Sequence, residues 1–535
     1  MRHRTLGLVS LLALLASTAG CALLAPDASA PSNAQPQTVP TATQAERGAA
    51  AFLGAGFGGL SLHALESNAV PFKLVAAALV MEEQRRDPSA PAGMATFRKV
   101  MQGYGFLYPT QLDGVPPGLM PPQSDKPLGM THGHIAPVAG SRVEVANLGC
   151  AACHAGVAYA PDGMPTPDRV VPGMPNTSLD LEAYTQAVFV ALRRHADDPA
   201  LLTMASTLFP DMPLSEQISL RWIVLPMAQR RLAELAGAER ALPFPNGLPG
   251  ATNGVAALKQ QLGTPLSGGG ADEGGFVSIP DLALRHLRNR LLADGVYATP
   301  SGTASRAELA AIASFFTVPS MGVRPEQARR QIPEAEAIFA WLAGYRPQPF
   351  PGPVDLDLAR SGAATYDRSC ASCHGRMSWE GERPTLASYP NWIGHVGTDR
   401  MRLTVFDSAL AAALRSSAYA DVIRPRPGEG YAAPPLAGVW ATAPYLHNGS
   451  VPSLAALLDP GLRPARFQVG GHALDWETLG IRLTQEGRYP AGYRPFSTPQ
   501  WVDTSQPGLT NGGHGFGSEM TPPERRALLE FLKLL

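Results

Sequence analysis

The sequence predicts a mainly α, loop-rich protein of two modules with little strand. Three observations predict it. Apolar residues recur at helical spacing in several segments, whereas strand-like alternation is rare and short. A proline run, Arg346-Pro347-Gln348-Pro349-Phe350-Pro351-Gly352-Pro353, cannot be helical and divides the chain. On each side of that run stands one copy of the pattern Cys-x-x-Cys-His. A chain of 535 residues has ample length for two or three cores, and its 54 Gly and 52 Pro imply long irregular segments.

The elements follow in chain order. Met1-Arg2-His3-Arg4 and the apolar run Leu6 to Ala16 have the charged start and short apolar core of an export signal, too short to span a bilayer comfortably. Thr18-Ala19-Gly20-Cys21 resembles a bacterial lipoprotein cleavage site, which makes residues 1–20 a signal peptide and Cys21 the lipidated residue. A cut after Ala28-Ser29-Ala30 would instead give a secreted protein. Either route exports the chain. The expected location is the periplasm or cell surface, with the lipid anchor in the outer membrane. Residues 21–45 have the Pro/Ala/Ser/Thr/Gln composition of a disordered linker.

The first module is expected over 46–345. Its helices are expected at Gln44 to Ala55, Val70 to Arg86, Leu179 to His195, Leu214 to Gly237, Ile279 to Ala293 and Arg306 to Phe316, with loops at 263–265 and 268–275. The second module occupies 346–535 and begins with the proline run. In it, Gly362, Tyr366 and Cys370 share one helical face. Thr521, Pro522 and Glu524 make a capping box before an apolar helix that ends at Leu535.

Lys and Arg number 43 against 44 Asp and Glu, a balance that excludes a polybasic nucleic-acid binder. The 45% apolar content excludes a disordered chain. Five cysteines, four of them in two close pairs, are too few for a disulfide scaffold.

Those pairs are the main chemical signal. Cys150-Ala151-Ala152-Cys153-His154 and Cys370-Ala371-Ser372-Cys373-His374 both carry the attachment signature of c-type haem. Two thiols three residues apart reach the two porphyrin vinyl groups as thioethers, and the next residue brings an imidazole beneath the iron. One such pattern arises by chance in roughly one chain in a thousand of this composition. A shared zinc site would not require a histidine after each widely separated pair, and neither would thioredoxin chemistry. Disulfides at this spacing are strained. Two covalent haems are therefore expected, with His154 and His374 as iron ligands.

Leu358 to Tyr366 leading into Cys370 resembles the opening helix of a class I cytochrome c domain, which the terminal helix crosses. The run Pro435-Leu436-Ala437-Gly438-Val439-Trp440-Ala441-Thr442-Ala443-Pro444-Tyr445-Leu446-His447-Asn448-Gly449-Ser450 resembles a segment of bacterial di-haem c-type oxidoreductases. That superfamily includes di-haem cytochrome c peroxidases and rubber oxygenases. The wording is nearest the rubber oxygenase branch, as are Arg463-Pro464, Phe467 and Asn511-Gly512-Gly513-His514-Gly515-Phe516-Gly517. In the first module, Gly105-Phe106, Pro127-Leu128-Gly129 and Val143-Glu144-Val145 also fit.

The resemblance implies two cytochrome c-like haem domains with divided labour. The N-terminal haem is open to peroxide or oxygen, and the C-terminal haem is six-coordinate and relays electrons. It implies His514 as the second ligand of the haem held by His374, with His447, His472 and Met520 as rivals. For the first haem, Met174, Met204 and Met212 are candidate sixth ligands. The family stretch commonly carries Trp where Ala283 stands, so substrate-side residues are not carried over and no catalytic residue is assigned. His132 and His134 read as surface-loop residues, with propionate contact or a stray metal as the alternative, His395 as packing or a propionate partner, and Trp379 and Trp440 as candidates for the space between haems. Expected partners are a redox donor or acceptor protein, a small oxidant and a membrane reached through the lipid. The alternative is a plain electron-transfer cytochrome with both haems six-coordinate.

Overall fold

The computed structural model describes residues 43–54, 69–119, 125–136, 142–266 and 275–535. The signal, Cys21 and nearly all of the linker lie outside the described residues.

The Thr43 hydroxyl accepts from the Glu46 amide at 3.2 Å, and the Glu46 carboxylate accepts from the Thr43 amide at 2.6 Å. This capping box starts α1 (Gln44–Leu53), which buries Gly48, Ala49, Phe52 and Leu53. That face crosses α2 (Ile332–Gly344), where the Phe52 ring lies 4.8 Å from Trp341. A Cβ on Gly48 would stand 1.9 Å from the Ala337 carbonyl oxygen, so only glycine lets the two backbones meet.

The same arrangement recurs later in the chain. The Asp355 side chain caps α3 (Leu356–Ser369) by accepting from the Leu358 amide at 3.0 Å. Thr521 and Glu524 form the expected capping box on α4 (Pro522–Leu532). These helices cross at Gly362, where a Cβ would lie 1.9 Å from the Ala527 carbonyl oxygen. Tyr366 packs 5.1 Å from Phe531 across the crossing, and its hydroxyl donates to the Gly375 carbonyl at 2.9 Å. Each Cys-x-x-Cys-His copy thus lies between two helices that cross through a glycine. In the second copy α3 runs directly into the motif. In the first, helices Phe72–Arg86 and Met94–Gly103 intervene between α1 and Cys150. They build a separate core with Leu181–His195 and Ala200–Leu208, around Phe72, Phe97, Phe106 and Tyr184.

Several expectations are corrected. The fold is mixed, with 40% helix and 15% strand. Among the described residues the strands form eight small sheets of two or three strands, and most strands are only two residues long, too short to display a period of two. Leu214 to Gly237 is three pieces: Leu214–Ser219, a wide turn Leu220–Val224 and Leu225–Glu234. Pro226 has no N–H to give the preceding turn, and the helix widens there. Ile279 to Ala293 is not helical. Asp281 accepts from the Ala283 amide at 2.7 Å, and Leu284 and Leu292 take left-handed backbone conformations. Between them lie only a short 3-10 turn, Arg285–Leu287, and a strand, Arg290–Leu291. Helices Met94–Gly103, Ala200–Leu208, Gly254–Gln261, Pro325–Arg330 and α2 were not expected.

The proline run has no regular structure, yet it is held. Gln348 both donates to and accepts from the Tyr159 backbone, at 2.8 and 2.9 Å. Phe350 packs edge-on against Trp440 and Trp476, at 5.3 and 4.8 Å.

Gly48→Ala and Gly362→Ala should each lower unfolding free energy by about 1–3 kcal/mol, because the added carbon must push two backbones apart. Gly344→Ala, with nothing within 4 Å of its added carbon, should not. Denaturant unfolding of the three variants checks this.

Candidate functional site

Both motifs fold as one tight turn. The His154 amide donates to the Cys150 carbonyl and the His374 amide to the Cys370 carbonyl, each at 2.9 Å. The turn puts the two thiols of a pair on one side and the histidine at its end. Asn176 braces the first turn: its amide donates to the Cys153 carbonyl at 2.8 Å and its side chain to the Ala152 carbonyl at 3.3 Å. None of these four cysteines is paired in a disulfide. Burial pushes Cys150 up to about 11 and Cys153 and Cys370 up to about 12. Burial thus favours the protonated form of these three thiols.

Each histidine is oriented by a proline carbonyl brought from far along the chain. His154 Nδ1 lies 3.1 Å from the Pro280 oxygen and His374 Nδ1 lies 2.8 Å from the Pro434 oxygen. A carbonyl only accepts, so Nδ1 carries the hydrogen and Nε2 keeps its lone pair for a metal. Burial lowers the pKa of both rings, that of His154 to about 4, which keeps them neutral as a ligand must be.

The two proline segments are structural copies. After Pro280 and Pro434 come Leu282-Ala283 and Leu436-Ala437. Next is a left-handed residue, Leu284 (φ 58°) or Gly438 (φ 71°), and then a 3-10 turn, Arg285–Leu287 or Val439–Ala441. A second left-handed leucine follows, Leu292 (φ 69°) or Leu446 (φ 66°), and then Gly295 or Gly449, both also left-handed. Reading the sequence residue by residue missed both carbonyls. The repeated Pro-x-Leu-Ala words were the available signal.

At the second site a further histidine lies close to the motif histidine. The His514 ring centre lies 6.3 Å from that of His374, with the ring planes 59° apart. Two metal–imidazole bonds of about 2 Å, with half a ring at each end, need about 6 Å. The pair therefore fits one iron between them. His514 has φ 50° and donates its amide to the Val396 carbonyl at 2.7 Å. Its Nδ1 is buried without a partner among the described residues, and burial, with the nearby His374, lowers the ring to about 4. The loop before it is pinned from two directions. Asn448 donates to the Gly508 and Thr510 carbonyls at 2.9 and 3.1 Å, and Arg463 donates to the Asn511 and Gly513 carbonyls.

Other candidates fall elsewhere. His447 stacks on Tyr431 at 4.0 Å, His472 is 1% exposed in the core, and Met520 is buried beside the start of α4. Met204 and Met212 belong to the apolar cluster on which Cys153 packs, and Met174 lies against Gly156 in the larger core. His132 approaches Glu144 at 3.4 Å, His134 approaches Arg142 at 3.4 Å, and His395 is exposed. Trp379 packs against Phe531, 6.0 Å away at the α3–α4 crossing. Trp440, 1% exposed, joins Tyr159 of the first motif's strand to Phe350 and Trp476.

Residues 430–468 match the family described as RoxA-like, cytochrome c-like. The chain is also similar to two proteins of Sinorhizobium fredii. The uncharacterized protein y4iJ is 32% identical over 316 residues, covering 46% of this chain and 50% of that protein. The uncharacterized protein y4iM is 32% identical over 171 residues, covering 27% of this chain and 38% of that protein. The chain thus spans half or less of the length of these relatives. It contains a cytochrome c-like domain, related to the cytochromes of the rubber oxygenase kind and consistent with covalent c-type haem.

Acid should destabilise the protein partly through His447. Burial lowers its folded pKa from 6.5 to about 3, so between those values the unfolded chain takes up the proton and the folded chain does not. This contribution to stability is complete above about pH 6.5 and is lost progressively as pH falls. His447→Phe keeps a ring on Tyr431 and should flatten the pH dependence by up to one proton. Urea unfolding at about pH 7 and about pH 5 measures it.

Proposed function

We propose that this chain is an exported di-haem c-type cytochrome, an electron-transfer oxidoreductase. In this reading the N-terminal haem meets peroxide or oxygen and the C-terminal haem relays electrons from a redox partner protein. One observation carries it: two equivalent motif turns, each with its histidine set on a proline carbonyl, of which, among the described residues, the second faces another histidine at 6.3 Å.

When bound, a c-type haem supplies an iron that changes oxidation state and, with a free face, takes a small oxidant. The chain's residues do the rest. Cys150 with Cys153, and Cys370 with Cys373, anchor the groups covalently. His154 and His374 offer Nε2 while Pro280 and Pro434 retain Nδ1–H. His514 would hold the C-terminal group together with His374, a two-histidine set that suits electron passage rather than binding of an oxidant. Tyr159, Phe350, Trp440 and Trp476 pack the ground between the proline run and the two modules, where they exclude water. The peroxide or oxygen step follows the family resemblance. Export and the lipid at Cys21 follow the N-terminal sequence, which places the protein in the periplasm or at the cell surface.

The test is a pyridine haemochrome assay on full-length protein made in a host that matures c-type cytochromes. Two covalent haems per chain are expected, falling to one in Cys150→Ala/Cys153→Ala and to one in Cys370→Ala/Cys373→Ala. Fewer than two in the wild type overturns the reading. Spectra should show one high-spin and one low-spin haem, with cyanide binding at one. His514→Ala should make the second haem high-spin and open to cyanide. Two low-spin haems that refuse cyanide would instead identify a plain electron-transfer cytochrome.

A further inference from the structure

Two buried arginines follow Pro280, and among the described residues neither is in an ion pair, although the Asp281 carboxyl acts on Arg285 from a distance. Arg288 is 2% exposed, and its Nε and Nη2 have no partner among the described residues. Arg285, 7% exposed, donates Nε to the main-chain carbonyl of Asp281 at 2.8 Å, which supplies no counter-charge. The Asp281 side chain is engaged by the Ala283 amide and the Tyr345 hydroxyl, and burial pushes its carboxyl up to about 7. Arg290, the next cation along, is already paired with Glu429. Buried guanidinium groups are ordinarily matched by a carboxylate or phosphate in bidentate geometry.

Their position identifies the ligand. The arginines lie in the turn that follows Pro280, the acceptor for His154, and the Arg285 charge acts on that ring. On the other side both act on Tyr389, whose hydroxyl donates to the Ala433 carbonyl, one residue before the acceptor for His374. Asn391 clamps the two sides together, donating to the Leu287 carbonyl and accepting from the Asn289 amide, each at 2.9 Å. The pair therefore stands at the junction of the two motif sites. The carboxylates a c-type haem brings to such a place are its own propionates.

We infer that Arg285 and Arg288 form a carboxylate site at this junction, filled by propionate groups of bound haem, through which the protein sets haem potential. The inference rests on the di-haem reading, and the haemochrome count separates the two: a chain without two haems fails that reading, not this one. In full-length protein with two haems, resonance Raman spectroscopy follows the propionate bending band and spectroelectrochemical titration follows the midpoint potentials. Arg288→Gln should shift the band and lower one midpoint potential, because a cation that opposes oxidation of the iron is gone. Arg288→Lys should restore most of both. Arg285→Gln should shift them in the same direction and supplies the answer alone if Arg288→Gln does not mature. Unchanged band and potentials in the glutamine variants overturn the inference. So does a wild-type potential that moves when acetate is added, since the site would then take a free carboxylate.

Discussion

A histidine that is to present Nε2 to a metal must give its Nδ1–H to an acceptor, and here that acceptor is a main-chain carbonyl from a distant segment. Pro280 serves His154 and Pro434 serves His374. Each bond joins a motif turn to a segment with two left-handed residues and a 3-10 turn, which holds the carbonyl still. The glycine crossings at Gly48 and Gly362 depend on the same geometry, because they fix the helices between which each motif turn lies. Where ring orientation is fixed through a carbonyl, the second partner is backbone, and no side-chain substitution at the proline removes it directly.

This explains which parts were legible in the sequence. The motifs could be picked out because Cys-x-x-Cys-His is a pattern of side chains at fixed spacing. The caps on α1 and α4 were legible because Thr and Glu three residues apart satisfy helix-end amides locally. The proline carbonyls were not, since any residue has a carbonyl and only its position matters. Ile279 to Ala293 looked helical because its leucines recur at three and four residues. Their backbone is dictated instead by the need to present one carbonyl to His154 and return to the core. Helix α2 was missed for a related reason: it is apolar on most sides because it is enclosed by α1 and the helix Arg306–Met321, so it carries little periodic contrast.

His514 was reached through resemblance rather than chemistry, and the structure supplies a physical reason for its place. A histidine on a Gly-rich loop is unremarkable until something fixes that loop opposite His374. Asn448 and Arg463 do so by donating to four of its carbonyls. Gly513 permits the approach, since a Cβ there would stand 2.2 Å from the Gly397 backbone. A sequence window around His514 contains none of these partners.

The asymmetry of the two sites can be traced to one position in the repeated proline segments. Asn448 precedes Gly449 in the second copy, and Asp294 precedes Gly295 in the first. Asn448 can donate, and it spends both side-chain hydrogens on the loop that carries His514. Asp294 is a carboxylate and can only accept, so it cannot hold a loop by its carbonyls. It binds Arg402 at 2.6 Å in full burial, and Arg402 in turn donates to the Gly275 carbonyl at 2.9 Å. The same backbone frame thus draws in the loop that carries His514 at one site and an arginine at the other. That difference of one side-chain group lets two matched backbone frames hold different neighbours.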